Sequence, residues 1–98
     1  MQIEFSRFVE GDLDAIAAYI AQDNPSRAVS FIREIHARVL AVEQNPFLYQ
    51  LRPEIGEGAR MAIVGRYVIL FRIISATVRI ERVVYGGRDL VALFPPEE

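Results

Sequence analysis

Arginine side chains are concentrated in the last third of the chain, among large apolar residues. Six arginines lie between positions 60 and 88, together with a single acid, Glu81. A guanidinium group can bind a carboxylate or a phosphate through two parallel hydrogen bonds. This strip is therefore a candidate surface for recognising either group. Because the chain contains no lysine, a coding bias towards arginine is the alternative explanation of its composition.

The candidates for binding a partner or a target in this region are Arg60, Arg66, Tyr67, Arg82, Tyr85 and Arg88. Most of them also have a purely structural interpretation. Arg60 and Arg66 could be solvated residues at a strand end or in a turn. The two tyrosines could be core aromatics whose hydroxyl groups reach the surface.

Arg82 stands out because strict alternation along the last predicted strand places it on an apolar face. That face would carry Val78, Ile80, Arg82 and Val84. An unpaired guanidinium would be costly there, so two explanations stay open: Arg82 pairs with an acid such as Asp89 at the sheet edge, or it faces a partner. Arg72 interrupts the most apolar strand, and we predict that it belongs to a structural ion pair.

Catalytic and metal-binding patterns are missing from the sequence. The absence of cysteine excludes disulfides and thiolate metal sites, and the single histidine, His36, has no helical partner at metal spacing. Asp12 and Asp14 would lie about 200° apart around a helix, so they would not converge as an acid and a base. A helix N-terminus explains these acids, with Glu10, through its dipole. We therefore predict no catalytic residue, no metal site and no cofactor.

The totals describe one globular domain spanning residues 1–98. The apolar fraction is 52%, the charged fraction is 24% and the formal net charge is −2, which argues against a protein built mainly to neutralise nucleic-acid phosphates. No apolar run approaches the roughly 20 residues that span a bilayer. No basic-then-apolar leader is present, so we expect a cytoplasmic protein without a membrane partner.

Two amphipathic helices are predicted in the first half of the chain. Ser6 is a plausible N-cap for a helix from Arg7 to Gln22, with an apolar stripe of Val9, Leu13, Ile16 and Ile20. Asn24 and Pro25 restart the chain as an N-cap and a first helical residue. The second helix runs to Gln44, and its apolar stripe comprises Ala28, Ile32, Ile35, Val39 and Val42.

Strands are predicted at 1–5, 60–64, 67–74 and 77–85. The connections Gly65-Arg66 and Ser75-Ala76 have hairpin length, and the strand at 67–74 is apolar on nearly both faces, so it should be central. Residues 88–94 are predicted as a short helical turn or strand, and 95–98 as a frayed tail. The fold class is α+β, in the order β-α-α-β-β-β, with the helical hairpin packed on a small, mainly antiparallel sheet.

The chain resembles the ParE branch of the RelE/ParE toxin superfamily in three segments. They are the Asp23-Asn24-Pro25 break between apolar helices, the hairpin from Arg60 to Arg72, and the ending Arg82-Val83-Val84-Tyr85-Gly86-Gly87-Arg88-Asp89. The resemblance implies a type II toxin that is held inactive by a ParD-like antitoxin. ParE-like members are associated with poisoning DNA gyrase, whereas RelE-like members cleave mRNA in the ribosome.

The sequence departs from the RelE pattern at the positions that carry catalysis. It has no lysine, although Arg60 and Arg82 occupy comparable strand positions, and no tyrosine or histidine follows Arg88. Tyr85 stands where many relatives carry histidine, and a tyrosine with a pKa of about 10 is a poor base at neutral pH. We expect a gyrase inhibitor without catalytic residues of its own. The alternatives are an mRNA endonuclease, which would meet nucleic acid through the ribosome, and a degenerate toxin that only binds its antitoxin.

Overall fold

The computed structural model describes residues 1–97. Its helices and strands follow the predicted order: β1 (Gln2–Phe5), α1 (Val9–Ala21), α2 (Pro25–Gln44), β2 (Arg60–Val64), β3 (Tyr67–Ile74), β4 (Thr77–Tyr85) and the short α3 (Leu90–Leu93). A single 3-10 turn, Pro46–Leu48, follows α2. The predicted frayed tail at 95–98 includes Glu98, which lies outside the described residues, and 95–97 contain neither helix nor strand.

The four strands form one sheet in the order β1-β4-β3-β2. β4 pairs antiparallel with β3, β3 pairs antiparallel with β2, and β1 joins β4 in parallel. The sheet is therefore mainly antiparallel and β3 is internal, as predicted. Gly65 and Ser75 hold the first position of the two hairpin turns, with φ angles of 59° and 55°. A positive φ at that position only is typical of a type II′ turn.

The α2 helix has the predicted bounds, whereas α1 begins later than expected. The side chain of Asn24 accepts a hydrogen bond from the Arg27 N–H at 3.0 Å, so it caps α2. Ser6 is not the N-cap of α1, which starts at Val9 and has no side-chain cap. The Ser6 hydroxyl instead accepts from the Phe8 N–H at 3.2 Å and donates to the carbonyl of Glu81. Its role is to tie the β1–α1 connection to β4.

One face of the sheet packs on the helical hairpin and forms the larger core. The predicted stripes supply most of the helical part of this core, since Val9, Ile16, Ile35, Val39 and Val42 are all buried in it. Phe31 was missing from the predicted stripe of α2 but is buried there, whereas Ile32 is only half-buried. The helices and the sheet thus cover each other's apolar faces.

The other face of the sheet carries a smaller core. Ile55 and Ala59, from the irregular segment after α2, pack there with Phe94, which follows α3. The C-terminal segment therefore ends as a helical turn, one of the two predicted alternatives, and it covers part of the sheet. Gly56 lies directly against the Phe94 ring. A Cβ atom at position 56 would be 2.6 Å from this ring, so a larger residue would displace it.

A bulge in β4 contradicts the predicted strict alternation. Leu70 pairs with Arg82 and the next residue, Phe71, pairs with Ile80, so Glu81 has no partner on β3. After this extra residue the side chains change face. Val83, rather than Arg82, joins Ile80 in the helix-side core. Arg82 therefore does not share a face with Ile80.

Candidate functional site

Arg82 is held by an acid inside the same chain. Its Nε and Nη2 atoms donate to the two carboxylate oxygens of Asp12, each at 2.8 Å. Its guanidinium lies 4.8 Å from the centre of the Phe8 ring, and Nη1 donates to the carbonyl of Leu93 at 3.3 Å. Pairing with an acid is thus the correct explanation of Arg82, but the predicted acid was wrong. Asp89 instead caps α3 by accepting from the Ala92 N–H at 3.3 Å.

Asp12 has a tertiary role that the sequence interpretation missed. One of its oxygens also accepts the backbone N–H of Val83 at 3.0 Å, beyond the point where β1 ends. The carboxylate therefore occupies the free edge of β4 as well as neutralising Arg82. The Asp12 hydrogen bonds raise the pKa of Arg82 above its usual value, although partial burial opposes this shift. A helix-dipole preference does not account for these contacts.

Arg72 belongs to a buried ion pair, as predicted. Its Nη1 atom donates to Glu81 at 2.9 Å, and the two side chains are only 4% and 2% exposed. Arg79 lies opposite Arg72 on the neighbouring strand and donates to the other oxygen of Glu81 at 3.1 Å. Like charges that face each other across a sheet repel. The bulged Glu81 bridges them, while Glu4 also pairs with Arg79.

Arg60 and Arg88 lie apart from these networks. Arg60, at the start of β2, donates to the carbonyl of Tyr49 at 2.5 Å, and its guanidinium lies 5.2 Å from the centre of the Phe47 ring. Arg88 is exposed in the turn after β4. Neither makes an ion pair within residues 1–97. The six candidates therefore do not form one continuous surface.

Three of the candidates, Arg66, Tyr67 and Tyr85, do meet in a groove between the helical hairpin and the β2–β3 turn. We call it the tyrosine groove. Its volume is about 650 Å³, and it is lined by Tyr19, Ile20, Arg27, Phe31, Gly65, Arg66, Tyr67 and Tyr85. Three of the chain's four tyrosines are in this lining. The groove thus brings together three of the six sequence-predicted candidates.

Three aromatic rings of the groove form a row in which each ring contacts the next. The ring centres of Phe31 and Tyr67 are 5.4 Å apart, and those of Tyr67 and Tyr85 are 6.0 Å apart in an edge-to-face arrangement. Burial raises the pKa of Tyr67 above its usual value of about 10, and the neighbouring Tyr19 and Tyr85 add to the shift. Since any tyrosine is protonated at neutral pH, the Tyr67 hydroxyl can donate a hydrogen bond there.

The charges around the tyrosine groove are positive. Arg27 stacks over Phe31, with its guanidinium 5.1 Å from the ring centre, and it also pairs with Glu34 outside the lining. Arg66 is exposed and makes no ion pair with any other described residue. The described lining contains no acid. Chemically, the groove offers apolar ring surface, phenolic donors and a guanidinium.

The sequence interpretation missed the helical half of the groove. Phe31 follows Ala28 by three residues and precedes Ile35 by four, so its place on the buried stripe of α2 could have been read from helical spacing. Tyr19 lies off the stripe of α1 and is 68% exposed, with no local signal that it would meet β3. Its position depends on how the hairpin packs on the sheet.

No group of three or more histidine or acidic side chains is arranged to hold a metal ion within residues 1–97. None of the helices in these residues is long and apolar enough to cross a membrane.

The family of the chain follows from its sequence match. The sequence model described as "ParE toxin of type II toxin-antitoxin system, parDE" matches residues 3–90. The chain belongs to the ParE toxin family. The matched range includes the Asp12–Arg82 pair and the whole lining of the tyrosine groove. The resemblance noted from the sequence is thereby confirmed, and a toxin-antitoxin system implies a protein antitoxin as partner.

The fold of this ParE toxin is also found in a solved structure. The chromosomal ParDE TA system from P. aeruginosa contains a chain that superposes with a TM-score of 0.75 at 24% sequence identity. The match covers 87% of this chain and 95% of that one, and it confirms the predicted α+β architecture. A comparison with curated protein sequences gives no significant match.

Proposed function

We propose that this ParE toxin inhibits growth by binding and poisoning DNA gyrase, and that a ParD-like antitoxin neutralises it. The observation that carries the proposal is the internal neutralisation of Arg72 and Arg82, two of the six arginines between positions 60 and 88. A toxin that cleaves RNA needs cationic groups that are free to stabilise developing phosphate charge. Both guanidinium groups are instead committed to carboxylates of the same chain.

The surroundings of these arginines support the same proposal. Phe94 lies over Arg72, with 4.2 Å between the guanidinium carbon and the ring centre. The backbone carbonyl of Leu93 accepts from Arg82. A phosphate would have to displace both the C-terminal segment and the paired acids. The C-terminal segment and the paired acids therefore occupy much of this face, beside a groove of about 470 Å³ that Arg7, Arg79 and Arg82 help to line.

The remaining candidates for proton transfer do not suit a nuclease. A tyrosine ionises near pH 10, and burial moves the pKa of Tyr67 further above the neutral range. A general base works best when its pKa lies near the working pH. Tyr67 and Tyr85 are better suited to hydrogen bonding and ring contacts with a protein.

A free sheet edge supports the proposed antitoxin contact. Within residues 1–97, β2 pairs on one side with β3, and its outer side carries only an isolated bridge between Leu51 and Arg60. Ile63 on this strand is 58% exposed and borders a groove of about 370 Å³ along α2. Exposed edge strands accept an added strand from a partner. We propose that antitoxin residues meet this edge, Arg60 and Arg88, and that the toxin acts in the cytoplasm.

The test compares two reactions with the same purified toxin. We expect the toxin to inhibit DNA supercoiling by gyrase and to leave ribosome-bound mRNA intact in a translating extract. Adding the cognate antitoxin in equimolar amount should restore supercoiling. Translation-dependent mRNA cleavage with unaffected supercoiling would overturn the proposal in favour of an endonuclease. Inactivity in both assays of a folded protein that still binds its antitoxin would identify a degenerate toxin.

A further inference from the structure

We propose that the tyrosine groove is a docking site for one acidic-apolar segment of the antitoxin, with an apolar side chain on Phe31 and a carboxylate at Arg66. The identity of the occupant rests on the proposed function, because it assumes an antitoxin partner. The chemistry of the groove does not depend on the gyrase target.

The shape of the groove suits an apolar side chain. Phe31 is 5% exposed and forms the floor with Ile20, while Tyr19 and Tyr85 are 68% and 47% exposed. A volume of about 650 Å³ lies in the range of sites that bury most of a compact ligand. Exposed tyrosines around a buried aromatic floor are typical of the residues that dominate binding at protein interfaces.

The charge of the groove selects an acidic partner. Arg66 is exposed without an ion pair among the described residues, and Arg27 is already engaged by Glu34. One free guanidinium beside phenolic donors matches a carboxylate, which accepts several hydrogen bonds. The Tyr67 hydroxyl, which is protonated at neutral pH like that of any tyrosine, is one of these donors.

A nucleic acid fits the same groove less well. Strands that bind nucleic acid contact several phosphates through several cationic groups, and the binding weakens steeply with salt. The described lining offers two arginines, of which one is paired, and the whole chain has a formal net charge of −2. The charge therefore favours a single carboxylate over a phosphate backbone.

Small fragments test the chemistry without the antitoxin. We would titrate the full-length, ¹⁵N-labelled toxin with 3-phenylpropionate and with its uncharged analogue 3-phenylpropionamide, following amide chemical shifts. The acid should bind weakly and shift the amides of Tyr19, Phe31 and Tyr67, and the amide analogue should bind about fivefold more weakly, the effect of one solvent-exposed ionic contact. Arg66→Gln should remove this preference. Arg33→Gln, an exposed arginine on α2 outside the groove, should keep it.

The second arm uses the cognate antitoxin and single-stranded RNA. Tyr19→Ala should weaken antitoxin binding at least tenfold, as expected for a residue at the centre of an interface. The amide spectrum of this variant should show that it keeps the native fold. Equal affinity for the two fragments, shifts outside the groove, or unchanged antitoxin affinity in Tyr19→Ala would overturn the proposal. Binding of a 12-nucleotide RNA at physiological salt, with shifts in the groove, would also overturn it. If the toxin did not inhibit gyrase, the proposed gyrase target would fail, but the binding measurements described here would still test the groove.

Discussion

Asp12 and Arg82 join the first helix to the last strand through two hydrogen bonds of 2.8 Å. They are separated by 70 positions in the sequence, and their side chains are only 10% and 15% exposed. Because Asp12 also accepts the N–H of Val83, it terminates the edge of β4 where β1 no longer pairs. One carboxylate thus fixes the position of α1 relative to the sheet.

Removing the charge of Asp12 should destabilise the fold. Asp12→Asn keeps the size of the side chain but leaves Arg82 partly buried without a counter-ion, so we expect the free energy of unfolding to fall by about 2 kcal/mol. Urea unfolding monitored by circular dichroism measures this change. The matched control is Asp14→Asn on the exposed side of the same helix, where we expect a change within about 0.5 kcal/mol. Equal losses in the two variants would show that helix-dipole effects, rather than the ion pair, govern Asp12.

Removing one charge of the Arg72–Glu81 pair should lower the free energy of unfolding strongly, whereas replacing both residues by apolar ones should lower it little. Glu81→Gln leaves Arg72 buried with an uncompensated charge, so we expect a loss of about 3 kcal/mol in unfolding free energy. The double variant Arg72→Met with Glu81→Leu removes both charges and should recover most of that loss, since Arg79 keeps Glu4 as a partner.

A double-mutant cycle in urea, from the single variants Arg72→Met and Glu81→Leu and their double variant, gives the coupling energy between Arg72 and Glu81. Glu4→Gln serves as the control, because it removes a solvent-exposed ion pair that should contribute less than about 1 kcal/mol. Additive losses in the cycle would contradict a direct interaction between the two buried side chains.

The parts of the fold that sequence analysis predicted well depend on local signals. Asn24 and Pro25 specify the start of α2, and two-residue connections specify the three strands of the meander, so all these bounds agree with the structure. The bulge at Glu81 could not be predicted in this way, because it depends on the register with β3. A shift of one residue moved Arg82 off the face on which alternation had placed it.

The candidate site was predicted only in part for the same reason. Arg66, Tyr67 and Tyr85 come together because they lie at adjacent ends of paired strands, which the hairpin order already implies. The opposite wall of the groove comes from Tyr19 and Phe31, whose positions require the packing of the helical hairpin on the sheet. Likewise, no spacing rule connects Asp12 with Arg82.

The two hairpin turns should respond in opposite directions to a change at their first position. Gly65 and Ser75 both have a positive φ angle, which costs roughly 1 kcal/mol for a residue with a Cβ atom. We therefore expect Gly65→Ala to destabilise the fold by about 1 kcal/mol and Ser75→Gly to stabilise it by about 0.5 kcal/mol. Thermal unfolding of both variants measures these shifts. A stabilised Gly65→Ala would contradict the left-handed conformation of that turn.

Stability should decrease at alkaline pH because of Tyr67. Burial raises the pKa of Tyr67 in the folded chain, so above about pH 10 the unfolded chain loses this proton first and the free energy of unfolding falls. This loss of unfolding free energy is absent below the pKa of Tyr67 in the unfolded chain. It grows with pH until the pKa of Tyr67 in the folded chain is reached. The chain has no lysine, so tyrosines dominate the titration in this range.

Urea unfolding between about pH 9 and about pH 11 measures this dependence. The Tyr67→Phe variant should show a smaller decrease than the natural chain. Identical pH profiles for the natural chain and Tyr67→Phe would argue that Tyr67 ionises as it does in water.

Charge reversal should separate the arginines that bind the antitoxin from those that hold the fold. Arg66→Glu and Arg88→Glu change exposed side chains without an ion pair among the described residues, so both variants should fold and bind the cognate antitoxin at least tenfold more weakly. Arg82→Glu would place a second carboxylate against Asp12, and we expect it to unfold the protein in large part. Calorimetric titration with antitoxin measures the loss of affinity, and thermal unfolding measures the loss of stability.

Unchanged antitoxin affinity in both Arg66→Glu and Arg88→Glu would remove these arginines from the interface. A stable Arg82→Glu variant would show that the Asp12–Arg82 ion pair is not needed for the fold.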